Sequence, residues 1–306
     1  MGSFVVEQLL AAGHTVRVLE PRMRGGNGRP LAAFDHVEWM VGDLDVAGVA
    51  EGAGRGCELA FYLASSTNPA ETWNDPIREV DEGIRRTVLF LQGITNVGVR
   101  KVVMPSSGGT IYGRAAGRLN EQHVAKPFSP HGIAKYSAEL FGQYFQEKFG
   151  LAMDVYRISN AYGPRQRMDR KQGVVAVWMG QILRGETVRV FGDDSVRRDY
   201  VYVEDVARLM MHSLRDLDAC GVWNIGSGIG TSILDLLRTF QKIIPHPFPH
   251  VIESLRAFDN TSAILDNSKL RALYPGLQLV SLHEGLSRTW AWYAQSPTER
   301  QEAAPL

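Results

Sequence analysis

Two side chains that can exchange protons lie four residues apart in one predicted helix. Ser129-Pro130 is a typical helix start, because proline is tolerated in the first turn, and apolar residues follow at helical spacing. His131 and Lys135 therefore project from the same face of this helix. A neutral imidazole can accept a proton near pH 7, so His131 is a candidate base beside the Lys135 ammonium.

A predicted strand ends close to this pair. The apolar run Val102-Val103-Met104 is followed by Pro105, two serines and two glycines, which is typical of a buried strand that turns out at the rim of a sheet. Ser107 and Thr110 fall in this turn, where they are equally well explained as plain turn residues. The space between a strand's carboxyl end and a helix is where open α/β sheets bind ligands.

The first residues predict part of a dinucleotide site. A helix from Gly2 with a glycine stop precedes the strand Thr15–Leu19, which ends on Glu20. An acidic residue about 20 positions after a glycine turn binds ribose in a dinucleotide fingerprint, whose first strand and further glycines are absent here. We expect the natural chain to start upstream of Met1. The alternative to an upstream start is a truly truncated remnant. The alternative interpretation of Glu20 is an ordinary strand-end carboxylate.

Composition excludes several classes of function. The 306 residues hold 33 basic and 33 acidic side chains without a basic run, so nucleic acid and membrane surfaces are not expected partners. The apolar runs are too short to span a membrane, and no metal site is predicted. Cys57 and Cys220 lie in apolar, strand-like runs and are interpreted as core residues, which suits a reducing cytoplasm.

Several motifs together resemble one family. S-S-x-x-x-x-Y-G from Ser106, S-P-H-G-x-x-K from Ser129, S-N-x-Y-G-P-R-Q from Ser159 and R-D-Y from Arg198 are similar to motifs of the extended short-chain dehydrogenase/reductases. Within them the chain resembles the NAD-dependent nucleotide-sugar epimerases and dehydratases, most of all the UDP-hexose 4-epimerases. The resemblance implies a Rossmann-like, doubly wound parallel α/β sheet with a smaller α/β substrate domain.

The resemblance also implies roles for individual residues and a division of the chain. We expect an NAD-binding domain over 1–165, a mainly nucleotide-sugar-binding domain over 166–295 with the chain crossing between the two, and a tail over 296–306. A homodimer through a four-helix bundle formed by the helices Asp75–Asn96 and Ser129–Phe149 is implied as well. The implied NAD-binding residues are Gly2, Glu20, Asp43, Leu44, Leu63, Ala64 and Lys135, with Asp43 as a helix cap the alternative. The implied nucleotide-sugar ligands are Asn160, Arg198, Arg256 and Asp259.

The chain departs from the family near the predicted reaction centre. Relatives carry Tyr at the position of His131, Ser or Thr at Gly108, Asn at Gly83 and Gly at Arg86. The resemblance then implies His131, Lys135, Ser107 and Thr110 as catalytic candidates. Two functions remain open: a 4-epimerase that forms a transient 4-keto sugar with a His base, and a catalytically silent relative that binds nucleotide sugar or pairs with an active homologue.

Overall fold

The computed structural model describes residues 1–21, 36–115, 117–168, 172–255 and 262–295. The described strands are β1 Arg17–Glu20, β2 Glu38–Val41, β3 Leu59–Phe61, β4 Lys101–Ser107, β5 Arg118–Leu119, β6 Ala152–Ile158, β7 Asn160–Tyr162, β8 Val188–Phe191, β9 Arg197–Tyr202, β10 Gly221–Ile225, β11 Gly230–Ser232, β12 His250–Glu253 and β13 Ser262–Leu265. The described α-helices are α1 Gly2–Ala11, α2 Val49–Gly54, α3 Pro69–Thr72, α4 Pro76–Arg78, α5 Arg86–Asn96, α6 Pro130–Phe149, α7 Val174–Leu183, α8 Val203–Met210, α9 Ile233–Ile243, α10 Ser268–Leu273 and α11 Leu282–Gln295.

Parallel strands with helices between them form the first part of the molecule, as the α/β prediction requires. One sheet has the strand order β10-β6-β4-β3, and β1 pairs with β2 in a separate ladder; every pairing in both is parallel. β4 and β6 are almost wholly buried, which is typical of strands covered on both faces.

The backbone ladder is interrupted between β1 and β3. Among the described residues these two strands do not pair with each other. One core cluster nevertheless contains side chains from next to the β1–β2 ladder, Val16 and Val37, and from the four-stranded sheet, Val103 and Ile158. A doubly wound sheet would carry a central strand between them. That a further strand belongs there stays a prediction.

The second part of the chain builds another sheet and core. β11, β9, β13 and β5 are neighbours in that order, β7 pairs with β9, and β12 pairs with β8. Residues from α7, α9 and α11 pack around Trp178 and Phe240, whereas α8 and β10 return to the core of the first sheet. The division at 165 and 166 stays a prediction. Within the described ranges, no helix has the length and apolarity needed to cross a bilayer.

Two long helices stand against the strand ends. The predicted helix Asp75–Asn96 is formed by α4, a π-helical segment Glu79–Arg85 and α5, and it packs against α6. Ser129 caps α6 by accepting a hydrogen bond from the Gly132 amide at 3.1 Å, as the sequence predicts. π-Helical segments occur frequently at functional sites.

Candidate active site

Lys135 faces a cleft at the carboxyl ends of β3 and β4. Its neighbours there include Ser65, Ser66, Met104 and Glu79. Among the described residues the ammonium has no hydrogen-bond or ion-pair partner. Desolvation lowers the pKa of Lys135, and the Glu79 carboxylate opposes that shift. The sequence therefore predicted correctly that this lysine meets the strand ends, where it can donate to hydroxyl or phosphate oxygens.

His131 lies one turn earlier on the same helix and is held by a carboxylate. Its Nδ1 is 2.9 Å from Glu79 Oε1, and the side chains keep only 7% and 3% exposure respectively. Thr72 Oγ1 lies 3.0 Å from the same oxygen, and Thr67 also hydrogen bonds to Glu79. Glu79 and Lys135 line the cleft, whereas His131 is not among its lining residues.

The turn after β4 holds the other two catalytic candidates. The Ser107 carbonyl accepts hydrogen bonds from the amides of Thr110 and Ile111, which closes the turn. Thr110 Oγ1 is buried and has no hydrogen-bond partner among the described residues, so it can bond to a ligand. A Cβ placed on Gly108 would lie 2.5 Å from Leu265 Cδ1. Leu265 thus fills the space that a serine or threonine would need at this position.

The predicted NAD-binding residues fall at three strand ends. Gly2 is the first residue of α1 and lies close to Leu63: a Cβ added at Gly2 would be 3.7 Å from Leu63 Cδ1. Ala64 lines the Lys135 cleft. Glu20 is exposed at the end of β1.

The residues after β2 are bound mainly by local contacts. Asp43 Oδ1 accepts a hydrogen bond from the Asp45 amide at 3.1 Å, while α2 begins only after Gly48, so the alternative of Asp43 as a helix cap is wrong. Leu44 packs against the apolar cluster that includes Tyr62 and stays half-buried.

Arg86 ties these loops to the long helix. Its guanidinium lies 2.6 Å from Asp45 Oδ2, 3.8 Å from Glu82 Oε2, 4.0 Å from Asp43 Oδ1 and 3.3 Å from Ser66 Oγ. The loops after β2 and β3 are therefore joined at one cation. The Arg86 side chain holds the pKa of Asp45 below its usual range, despite the cost of desolvation. A glycine at this position could make none of these contacts.

The predicted nucleotide-sugar ligands lie on neighbouring strands where the structure describes them. Asn160 on β7 donates from Nδ2 to the Asp199 carbonyl at 2.9 Å, and half-buried Arg198 precedes Asp199 on β9. Beside them, the hydroxyls of Ser159 and Tyr200 are buried without a hydrogen-bond partner among the described residues. The other two predicted ligands, Arg256 and Asp259, lie outside the described residues.

A buried ion pair fixes the orientation of α6 behind the site. Glu139, one turn beyond Lys135, binds Arg157 of β6 at 2.7 Å and accepts a hydrogen bond from Ser106 Oγ. Burial disfavours the Arg157 charge, but the Glu139 contacts outweigh it and raise the pKa of Arg157. Arg157 Nη1 also donates to Tyr112 OH at 3.0 Å. The helix that carries His131 and Lys135 is thereby bonded to both central strands.

Sequence reasoning missed Glu79, Glu82 and Leu265. Glu79 and Glu82 lie within an amphipathic helical pattern in which acidic residues suit a solvated face, so no local signal separates them from surface charges. The Cys220 interpretation was wrong, because this cysteine is exposed; Cys57 is half-buried. Among the described residues, no cluster of three or more His, Cys, Asp or Glu side chains could hold a metal ion.

Comparison with known proteins shows which family the chain belongs to and which solved structures its fold is similar to. Residues 1–226 match the NAD dependent epimerase/dehydratase family. The UDP-glucose 4-epimerase of Mycolicibacterium smegmatis is 30% identical over 295 residues, or 94% of each chain. The crystal structure of UDP-glucose 4-epimerase from Thermotoga maritima with UDP-glucose is similar, with a TM-score of 0.88, 32% identity and coverage of 96% and 95% of the two chains. The Thermus thermophilus UDP-glucose 4-epimerase in complex with NAD has a TM-score of 0.88 and 28% identity over 96% of each chain.

Proposed function

The chain belongs to the NAD dependent epimerase/dehydratase family, and on that premise we propose that it is a nucleotide-sugar 4-epimerase acting on a UDP-hexose. The three relatives described above match along 94% or more of their length and are UDP-glucose 4-epimerases, which supports a UDP-sugar substrate. The observation that carries the proposal is Lys135, a desolvated ammonium in the cleft at the strand ends that has no hydrogen-bond or ion-pair partner within the described ranges.

The residues around this cleft fit the cofactor NAD. Lys135, with Ser65 and Ser66, supplies donors suited to ribose hydroxyls. The first amides of α1, at Gly2 and Ser3, have no acceptor within the helix and suit a pyrophosphate oxygen. Of the acidic residues that line the cleft, Glu82 pairs with Arg78 at 2.9 Å, and Glu79 is hydrogen bonded to His131. When bound, NAD accepts hydride from the sugar and returns it.

We propose that the substrate-binding residues lie at the ends of β7 and β9. Arg198 can bond two phosphate oxygens at once, and Asn160 lies on the adjacent strand. The buried hydroxyls of Thr110, Ser159 and Tyr200 can serve as donors or acceptors for a polar ligand. By resemblance, Arg256 adds a second contact to the diphosphate and Asp259 one to the ribose.

His131 is the proposed proton acceptor. It takes the proton of the sugar 4-hydroxyl as hydride leaves the same carbon, and it returns the proton after the keto sugar has turned its other face. Ser107 and Thr110 are proposed to hold the sugar's 4-oxygen. Lys135 orients the ribose of the cofactor and keeps positive charge near the reacting oxygen.

A catalytically silent nucleotide-sugar binder is the second candidate. Two observations favour it: His131 is not among the residues that line the cleft, and Leu265 occupies the space beside Gly108. In this alternative the substrate-binding residues on β7 and β9 are retained, and the chain binds a nucleotide sugar without turnover or pairs with an active homologue.

One pair of measurements separates the candidates. Turnover of UDP-glucose and of UDP-N-acetylglucosamine is followed by NMR for the natural chain, His131→Tyr and His131→Ala, while calorimetry measures UDP-glucose binding. The epimerase proposal expects turnover that is lost in His131→Ala. Binding without turnover, with activity gained only in His131→Tyr, would establish the silent binder. If neither binding nor turnover is found, both candidates fail.

We also propose a homodimer in the cytoplasm. The outer faces of α4, the π-helical segment and α6 expose large apolar side chains, namely Ile77, Val80, Ile133, Leu140, Phe141 and Tyr144. Two such helices from each of two copies could form a four-helix bundle. The cytoplasmic location rests on the sequence alone.

A further inference from the structure

The contact between His131 and Glu79 fixes one ring nitrogen. Nδ1 lies 2.9 Å from Glu79 Oε1, whereas Nε2 has no hydrogen-bond partner among the described residues. The two residues come from different helices, 52 positions apart in the chain, so the contact exists only in the folded protein. Its distance is that of a charge-assisted hydrogen bond.

The surroundings hold the Glu79 carboxylate in place. Thr72 Oγ1 lies 3.0 Å from Oε1, and Thr67 adds another hydrogen bond. On the other side, a Cβ at Gly83 would lie 2.8 Å from Oε2 and 3.1 Å from the Ala134 Cβ. Any larger residue at Gly83 would push the carboxylate away from His131 or separate the two helices. The loss of a side chain at Gly83 therefore makes room for the contact.

The protonation state of Glu79 decides the direction of the hydrogen bond. Burial alone would raise the pKa of this carboxyl, but the hydrogen bonds from His131, Thr67 and Thr72 and the nearby His131 charge lower it below its usual value. An ionised carboxylate only accepts hydrogen bonds. Nδ1 must then be the donor, and in a neutral ring Nε2 carries the lone pair.

We propose that Glu79 is a positioning residue that holds His131 in the Nδ1–H form and so makes Nε2 the proton acceptor of the reaction. This role in catalysis rests on the proposed function. The sugar hydroxyl's O–H bond breaks and its proton bonds to Nε2, while the hydride from the same carbon goes to NAD. The imidazolium formed is stabilised by the Glu79 carboxylate and later returns the proton. The charged groups facing the ring are then Glu79 and, through it, Lys135.

The tautomer can be measured without any turnover. Long-range ¹H–¹⁵N NMR on the chain labelled at its eight histidines distinguishes Nδ1–H from Nε2–H rings, and the spectrum missing in His131→Asn assigns His131. With its ring in the neutral form, His131 of the wild type is expected to show the Nδ1–H tautomer. An Nε2–H ring in the wild type would overturn the proposal.

Two variants and one control test the cause. Glu79→Gln keeps the shape of the side chain but replaces the carboxylate, which only accepts hydrogen bonds, with an amide that can also donate. Gly83→Ala displaces the carboxylate. In both variants the His131 ring should no longer be purely in the Nδ1–H form. Asp81→Asn changes an exposed carboxylate on the same π-helical segment and should leave the pattern intact. An unchanged His131 spectrum in both Glu79→Gln and Gly83→Ala would overturn the proposal.

Measurements of kcat and KM then test whether the position of Glu79 affects the reaction. Glu79→Gln should lower kcat about 100-fold, the scale of general base catalysis, while the KM for UDP-glucose changes less than about twofold. Glu79→Asp, which keeps the charge, should recover part of kcat. If the chain shows the Nδ1–H ring but no turnover, the proposed function fails and the positioning contact stands. A normal kcat in Glu79→Gln would overturn the catalytic role.

Discussion

His131 Nδ1 lies 2.9 Å from Glu79 Oε1, and this contact joins the first turn of α6 to the π-helical segment. Both partners are buried, and Gly83 provides the space between the helices. His131, at the position where the resemblance implies a tyrosine, is thus hydrogen bonded to a carboxylate. We therefore expect the contact between His131 and Glu79 to affect both the stability of the fold and proton transfer.

Acid should weaken the fold partly through Glu79. Its pKa is raised by burial but lowered further by its hydrogen bonds and by the His131 charge, to a net value below the usual 4.5. The carboxylate therefore contributes stability that is fully present above about pH 5.5 and lost as pH falls through 4.5 towards the folded-state pKa. Urea midpoints from pH 6.5 to 4 should fall less steeply for Glu79→Gln than for wild type or Asp81→Asn. Equal slopes in all three would contradict the assignment.

Replacement of Lys135 should separate stability from activity. An ammonium that is unpaired within the described part of the chain is costly to desolvate, so Lys135→Met should raise the free energy of unfolding by about 0.5–2 kcal/mol while abolishing turnover. Lys148→Met on the exposed end of the same helix should change neither by a comparable amount. Urea denaturation and the epimerase assay measure the two effects, and a destabilised Lys135→Met would show that the ammonium is paired in solution.

A side chain at Gly108 should conflict with Leu265. Because the added Cβ would lie 2.5 Å from Leu265 Cδ1, Gly108→Ser should lower the free energy of unfolding by about 1–3 kcal/mol. Gly109→Ser is the matched control, since a Cβ there meets nothing within 4 Å. The double variant Gly108→Ser with Leu265→Ala should be less destabilised than the sum of its single variants. Strict additivity would mean that the two positions do not touch.

The proposed dimer should depend on the outer face of α6. Leu140→Glu and Tyr144→Glu place charges on exposed apolar positions and are expected to convert a dimer to a monomer in size-exclusion chromatography with light scattering. Gln146→Glu, about 120° around the helix from Leu140, should leave the oligomeric state unchanged. A chain that is monomeric before any substitution would refute the dimer proposal.

Local patterns predicted the elements, but partners distant in sequence escaped prediction. The Ser129 cap, the buried run through Val103 and the orientation of Lys135 follow from spacing and turn chemistry, which act within a few residues. Glu79 finds His131 only after two helices pack together, and Leu265 meets Gly108 across sheets. Such contacts depend on three-dimensional packing, for which one sequence gives no distance. The π-helical turn that presents Glu79 likewise has no simple periodic signature.

The break between β1 and β3 has a consequence for how the molecule opens. Since the β1–β2 ladder shares no backbone hydrogen bond with the four-stranded sheet among the described residues, only side-chain packing couples the two. Amide protons of Val18 and Leu19 should therefore exchange with solvent through a low-energy local opening, while those of Val103 and Val155 wait for global unfolding. In the 306-residue chain, the region that carries the predicted cofactor residues would then open as two units, and a ligand that touches both Gly2 and Lys135 would hold the two units together.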